Sequence, residues 1–375
     1  MSGTSNQAER HRLAFLLPAL KGGGAERVAL TLIKDFVARG HEVDLLLMQA
    51  EGELLSLLPA NVQVIDLKAD RIRQAVPAIV SYLRREKPDG IQVSMWSLTV
   101  AGIVAHRLSR SRARLVVSDH AAMSKQYGNS GWLRRTFMKW SIRLFYPLAD
   151  ARIVVAREAA DDLARLTGLP RRAFEVVYNP VYPPQSEADP ALDVDGLWGG
   201  PSPRILNVGQ MKSQKNQKLL LDAFARMTGH RDARLIICGE GELRGELEAH
   251  ADKLRIAGNV SMPGFLADPT AFYRSADLFV LSSDYEGYPL VLIEAMRCGL
   301  PIVSTDCLSG PAEILGNGEF GRLTPCGDAE RLAEAMLDEL AAARDSERLM
   351  ARAEQLSGAH TADRYLELMT GETVN

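Results

Sequence analysis

Two glutamates separated by seven residues stand on either side of a Gly-Tyr-Pro turn in Ser282-Ser283-Asp284-Tyr285-Glu286-Gly287-Tyr288-Pro289-Leu290-Val291-Leu292-Ile293-Glu294. The apolar run before this segment reads as a strand, and the apolar positions after it read as a helix that Gly299 ends. The first N–H groups of a helix are unpaired and carry partial positive charge, so such a turn suits a diphosphate. Glu286 falls on the loop and Glu294 about one and a half turns into the helix, an offset that lets the two carboxylates address different parts of one ligand. As an isolated pair they read better as a capping carboxylate, Glu286, and a solvated surface residue, Glu294.

Three further segments carry chemistry-bearing side chains. In Lys21-Gly22-Gly23-Gly24-Ala25-Glu26, Gly23 and Gly24 let the backbone approach a phosphate or a sugar, with a helix dipole behind them. The glycines are consecutive rather than spaced, which does not fit the dinucleotide-binding fingerprint. His120 ends a strand in SDHAAMS, where a lone histidine is commonly a loop residue satisfied by its neighbours; Asp119 is an alternative acid–base group or an orienting partner. Residues 121–149 hold no acidic side chain but contain Lys125, Arg134, Arg135, Lys139 and Arg143. Arg135, Lys139 and Arg143 recur at helical spacing among Trp132, Phe137, Met138, Trp140, Leu144 and Phe145. Such a helix suits an anionic membrane surface or a lipid diphosphate, and equally a core-packing helix with a solvated stripe.

The elements that position these residues form a regular alternation. Apolar runs at 13–20, 43–48, 62–67, 90–95, 114–119 and 151–156 are separated by helical patterns, and a second series follows at 204–209, 233–239, 259–264, 277–283 and 300–305. Buried strands spaced by helices predict doubly wound parallel sheets. The Pro-, Gly- and Asp-rich stretch 180–203 has no periodicity. The expected architecture is α/β, with two Rossmann-like domains facing each other across a cleft. Residues 1–182 would form the first and 204–360 the second, joined by a linker at 183–203, with a helix at 361–375 packing back toward the first domain. Ligands of such sheets sit beyond the carboxyl ends of the strands, hence in the cleft.

The chain of 375 residues is long enough for two cores. No apolar run reaches the ~20 residues that span a bilayer, and the polar N-terminus lacks a signal-peptide core. Cys238, Cys298, Cys307 and Cys326 form neither a zinc motif nor a disulfide framework. These features predict a soluble protein of a reducing cytoplasm. Residues 1–182 carry a net charge of +9 and the remainder −12, so only the first half would meet an anionic surface. Nucleic acid is a poor partner, because no recognition motif accompanies the basic residues.

The stretch EGYPLVLIEAMRCGLPIVSTD, followed by GPAEIL and GRLTP, resembles the family 4 glycosyltransferases, whose signature is a glutamate, seven residues and a second glutamate. The resemblance implies the GT-B fold. It implies that Glu294 binds the ribose hydroxyls of a nucleotide and that Glu286 contacts the transferred sugar. The amides of Tyr288 and Leu290 would lie beside the diphosphate, Pro289 having no N–H. In Asn207-Val208-Gly209-Gln210-Met211-Lys212-Ser213-Gln214-Lys215 the family pattern sets an arginine and a lysine on the diphosphate. Lys215 matches the lysine, whereas Gln210 replaces the arginine and donates without charge assistance. Lys212 is either its substitute or a solvated loop lysine.

The family also carries a Gly-Gly-x-Glu loop at the place of Gly23 and Gly24, a cleft-facing histidine at that of His120, and, in enzymes acting on polyprenyl-diphosphate glycans, a basic helix in the region of Arg134 to Arg143. The implied function is retaining transfer from a UDP-sugar to a hydroxyl of a lipid-linked or growing glycan, without metal or cofactor, at the inner face of the cytoplasmic membrane. The alternatives are a nucleotide-binding scaffold subunit, which Gln210 favours, and a nucleotide-sugar epimerase or phosphorylase on the same fold.

Overall fold

A computed structural model describes residues 10–128, 130–180, 193–200, 203–227, 232–266, 268–356 and 360–373. The first sheet is built from β1 (Arg12–Leu17), β2 (Glu42–Leu47), β3 (Gln63–Asp66), β4 (Gly90–Ser94), β5 (Arg114–Asp119), β6 (Ala151–Val154) and β7 (Glu175–Val176). The second contains β8 (Arg204–Val208), β9 (Arg234–Cys238), β10 (Val260–Gly264), β11 (Leu278–Leu281), β12 (Ile302–Thr305) and β13 (Arg322–Thr324). The strand orders are β3-β2-β1-β4-β5-β6-β7 and β10-β9-β8-β11-β12-β13. All pairings within both sheets are parallel.

Helices cover both faces of each sheet, so the central strands have no wet side. Leu13 to Leu16 and Leu278 to Leu281 are all 0 % exposed, which is why these strands read as unbroken apolar runs rather than alternating ones. The helix Gly24–Ala38 shows the complementary pattern: Val28, Leu32, Ile33 and Phe36 are buried at helical spacing against β1 and β2. Strand order reverses between β1 and β4 and again between β8 and β11. Connections leave in opposite directions at these points and open a crevice beyond the carboxyl ends. The two crevices face each other.

The chain crosses between the domains twice. After residue 180 it passes to the second domain, where Val194–Trp198 forms a short helix. This part of the expected 183–203 linker belongs to the second domain instead: Trp198 is 1 % exposed, packs edge-on to Phe272 and donates its Nε1–H to Ser275 at 2.9 Å. Burying an indole with its N–H paired is sufficient reason to fix this stretch. Residues 183–192 and 201–202 lie outside the described residues. The second crossing follows Ser346–Gln355, a helix packed on Leu290–Arg297. Beyond it, Thr361–Thr370 lies against β4 and β5, with Tyr365 and Met369 fully buried and the Leu368 carbonyl accepting from Arg114 Nε at 3.0 Å. Among the described residues no helix is long and apolar enough to cross a membrane.

Candidate active site

Loops following the central strands of both sheets line a cleft cavity of about 550 Å³. It brings together Glu286, Lys215, His120, Glu294, Gln210, Tyr288, Leu290, Gly23 and Gly24, and adds Lys212, Asp119, Trp96 and Tyr127.

On the second-domain side, the loop after β11 carries Glu286, which is 5 % exposed. Its Oε1 accepts from Lys215 Nζ at 2.7 Å and from Ser283 Oγ at 2.6 Å. Lys215 ends the short 3-10 turn Ser213–Lys215 after β8, and its own carbonyl accepts from Ser282 Oγ at 2.9 Å. The cation is thus anchored at both ends. The helix Leu290–Arg297 starts immediately after Pro289 and presents its first amides to the cavity. Glu294 lies one turn further, with Oε2 accepting from the buried Tyr273 hydroxyl at 2.8 Å. The Tyr288 ring is 4 % exposed and packs 5.1 Å from Tyr178 between the domains.

Gln210 also lines the cavity, but its side-chain Nε2 donates across the cleft to the Lys21 carbonyl at 2.9 Å. The residue at the arginine position therefore ties the domains together. Lys212 points into the same cavity. Burial and the adjacent Lys215 lower its pKa, while Glu286, Glu26 and Glu242 oppose the shift. A second cation therefore stands two residues from the position where the arginine is missing.

On the first-domain side, Gly23 caps the Gly24–Ala38 helix and its N–H donates to Glu26 Oε2 at 3.1 Å. The nearby amides of Gly22 and Lys21 also favour the charged Glu26 carboxylate. The loop's own carboxylate therefore occupies the anion position that its glycines create. Burial raises the Glu26 pKa, and those amides and Lys212 hold it down.

At the end of β5, Asp119 and His120 point to opposite faces of the sheet. His120 Nε2 meets Ser118 Oγ at 3.1 Å, and Ser118 Oγ in turn bonds Gln92 Nε2 at 2.9 Å and Ser94 Oγ at 2.8 Å. Burial lowers the His120 pKa to about 4 against a contact with Asn179 that raises it, so the ring is neutral at pH 7. Asp119 is 2 % exposed, and its Oδ2 accepts from the Tyr146 hydroxyl at 2.8 Å. Burial raises its pKa to about 6, although Tyr146 and the Trp96 amide stabilise the charge. Its Oδ1 is shut from solvent and unpartnered within the chain.

The domains touch at backbone level beside this pair. Ala122 N donates to the Glu286 carbonyl at 3.2 Å, and a Cβ on Gly287 would lie 1.9 Å from the His120 carbonyl oxygen. Only glycine permits that approach.

Arg134, Arg135, Lys139 and Arg143 lie outside the cavity on the helix Trp132–Phe145. Met138, Ser141 and Ile142 form its buried face, whereas Trp132 is 73 % and Trp140 64 % exposed, with Leu133, Phe137 and Leu144 similarly bare. Arg134 stacks on the Tyr127 ring, and Arg143 donates to the Thr167 carbonyl at 3.0 Å. Among the described residues no group of three or more His, Cys, Asp or Glu side chains is arranged to hold a metal ion.

Two facing parallel sheets thus enclose a polar cleft that carries a helix amide end, a lysine and two glutamates. Residues 22–183 match the family model Glycosyltransferase Family 4, and residues 192–356 match Glycosyl transferases group 1. The chain belongs to these GT-B-type glycosyltransferases. It is 28% identical, over 83% of this chain and 85% of the relative, to the N-acetylgalactosamine-N,N'-diacetylbacillosaminyl-diphospho-undecaprenol 4-alpha-N-acetylgalactosaminyltransferase of Campylobacter jejuni. It is 27% identical to the amylovoran biosynthesis glycosyltransferase AmsD of Erwinia amylovora, over 96% of this chain and 97% of that one. Anabaena HepE, solved in complex with UDP, shares the fold with a TM-score of 0.76 at 21% identity, covering 96% of this chain and 100% of that chain.

Proposed function

We propose that the protein transfers a sugar from a UDP-sugar to a hydroxyl of a lipid-linked or growing glycan, with retention at the anomeric carbon and without a metal. The observation that carries this reading is the doubly anchored Lys215–Glu286 pair beside the amide end of the Leu290–Arg297 helix, opposite His120. The diphosphate would sit on Lys215, Lys212 and the Leu290 amide, which supply the positive charge that a departing UDP requires. Glu294 would take the ribose hydroxyls. Glu286, pinned through Oε1, would present Oε2, which Gln214 Nε2 reaches only at 3.5 Å, to a sugar hydroxyl. The bond from the anomeric carbon to phosphate oxygen breaks, the acceptor oxygen bonds the same face of that carbon, and its proton passes to the departing phosphate. Neutral His120 fits a hydrogen-bonding role better than that of a charged acid.

The lipid-linked acceptor is supported by the relative from Campylobacter jejuni, whose name specifies an undecaprenyl-diphosphate substrate. It is supported independently by the helix Trp132–Phe145. Exposed tryptophans beside Arg135 and Lys139 match an anionic bilayer surface, which would hold the protein peripherally at the inner face of the cytoplasmic membrane. The test is release of UDP, GDP and ADP from a panel of nucleotide sugars, with and without a bacterial membrane lipid extract. Lipid-stimulated release of UDP supports the reading. No release from any donor, or UDP bound without turnover, would instead support the scaffold alternative that Gln210 suggests.

A further inference from the structure

We infer that Arg27, on the first domain, holds the phosphate adjoining the ribose of the donor nucleotide from across the cleft, and so supplies the guanidinium that the second domain lacks at Gln210. The inference rests on the glycosyl-transfer reading above and adds to its donor site a residue that lies outside every donor motif. A purely structural role explains Arg27 poorly. It stands in the first turn of the Gly24–Ala38 helix, the end that favours anions. The acid beside it is no partner, because Glu26 turns back onto the Gly23 amide. Among the described residues no carboxylate forms an ion pair with the Arg27 guanidinium. The side chain is half-buried and lines the cavity. A cation held there without a counter-charge is costly until an anion completes it.

The guanidinium is placed by the opposite domain. Its Cζ lies over the ring of Phe265, which follows β10, at 5.6 Å from the centroid. A guanidinium stacked on an aromatic face keeps its N–H edges free to donate. The same loop meets the second domain twice more: the Phe265 ring lies 3.3 Å from where a Cβ on Gly22 would stand, and the Lys21 carbonyl accepts from Gln210 Nε2 at 2.9 Å. Residues 21–27 thus bring Arg27 and Gln210 to one corner of the cleft. The charge of Arg27 also reaches the Tyr273 hydroxyl, which donates to Glu294. A cation beside Gln210 and within reach of the proposed ribose site stands where the phosphate nearest the ribose belongs, since that phosphate joins the two. A guanidinium can take two of its oxygens at once, whereas Lys212 and Lys215 act as point charges. Donor nucleotide then bridges both domains, and its binding favours the closed cleft.

The experiment titrates UDP and UMP by calorimetry into wild type, Arg27→Ala, Arg27→Lys and Lys215→Ala, with thermal melting of each protein. Both nucleotides carry the phosphate next to the ribose. The Kd for UDP and for UMP should therefore each rise about tenfold in Arg27→Ala. Arg27→Lys keeps the charge but not the fork, and its Kd values should rise several-fold; it carries the test if Arg27→Ala melts early. A UDP Kd unchanged in the Arg27 variants but raised in Lys215→Ala overturns the role of Arg27 and leaves the donor site standing. A loss confined to UDP overturns it as well, because UMP retains the phosphate in question. Wild-type protein that binds no UDP overturns both this inference and the transferase reading.

Discussion

The two walls of the cleft are built on opposite principles. On the second-domain wall both glutamates already have partners: Lys215 holds Glu286, Ser283 supports the same oxygen, and Tyr273 holds Glu294. On the first-domain wall burial outruns pairing at the end of β5: Asp119 Oδ1 is shut from solvent and unpartnered within the chain, and neutral His120 rests on Ser118 and Asn179. A wall of paired groups is preorganised, which suits the diphosphate site proposed above.

Breaking the paired wall should have the largest effect. Lys215→Ala and Glu286→Ala should each lower kcat by about 10²–10³-fold in the UDP-release assay, because either change also strands its charged partner in a buried position. A loss under threefold would show that the pair is structural only.

Removing the charge on the unpaired wall should stabilise the protein. Folded Asp119 keeps its proton up to about pH 6, against an ordinary 3.8. The folded state binds the extra proton between these values, so stability falls as pH rises through this window and the cost is complete above it, at about 3 kcal/mol. Asp119→Asn should therefore raise Tm at pH 7.5, and the gain should shrink to nothing near pH 4. His120 has the opposite sign: with its pKa lowered to about 4 from 6.5, it costs stability as pH falls through that range. That term is common to both proteins and cancels from their difference.

The line where the walls meet offers a third test. Gly287→Ala places a Cβ where the His120 carbonyl stands, which should hold the domains apart and lower kcat by about 10–100-fold while UDP affinity measured by calorimetry falls far less. The smallest effect should come from the outer helix. Trp132→Ser with Trp140→Ser should weaken cosedimentation with vesicles containing anionic phospholipid several-fold, and high salt should weaken the wild type as well.

The donor wall was legible in the sequence because it is contiguous. Glu286, the helix start and Glu294 lie within one segment, and Lys215 within another, each following a strand whose apolar run was readable. The alternation likewise gave the doubly wound sheets, although β7 and β13, edge strands of two and three residues, are too short to leave a pattern. The first-domain wall is assembled from residues that belong to no motif where they stand. Nothing in the sequence singles out Trp96 or Tyr127, and Asp119 reads only as an alternative to His120 or as its orienting partner. Their meaning comes from parallel pairing of β4 and β5, which sets Ser94 beside Ser118 and brings both loops to one end. The same limit applies to the Gly23 and Gly24 loop. Its glycines were readable as an anion site, but not that Glu26 would fill it. Gly239, whose Cβ would meet the Gly209 carbonyl at 2.1 Å, left a fainter signal as a glycine after a buried strand.

The return of the C-terminal helix to the first sheet has a mechanical consequence. Two bodies joined by one flexible tether can swivel about any axis, as on a ball joint. Here Thr361–Thr370 is embedded by Tyr365 and Met369 against β4 and β5 while Ser346–Gln355 stays with the second domain, so a second connection joins the domains, and its first-domain end lies beside that of the first, Thr361 Oγ1 donating to the Tyr178 carbonyl at 3.1 Å. Two tethers side by side leave essentially one rotation, that of a door. Each opening and closing would then retrace a single arc and bring Gly287 back to the same carbonyl.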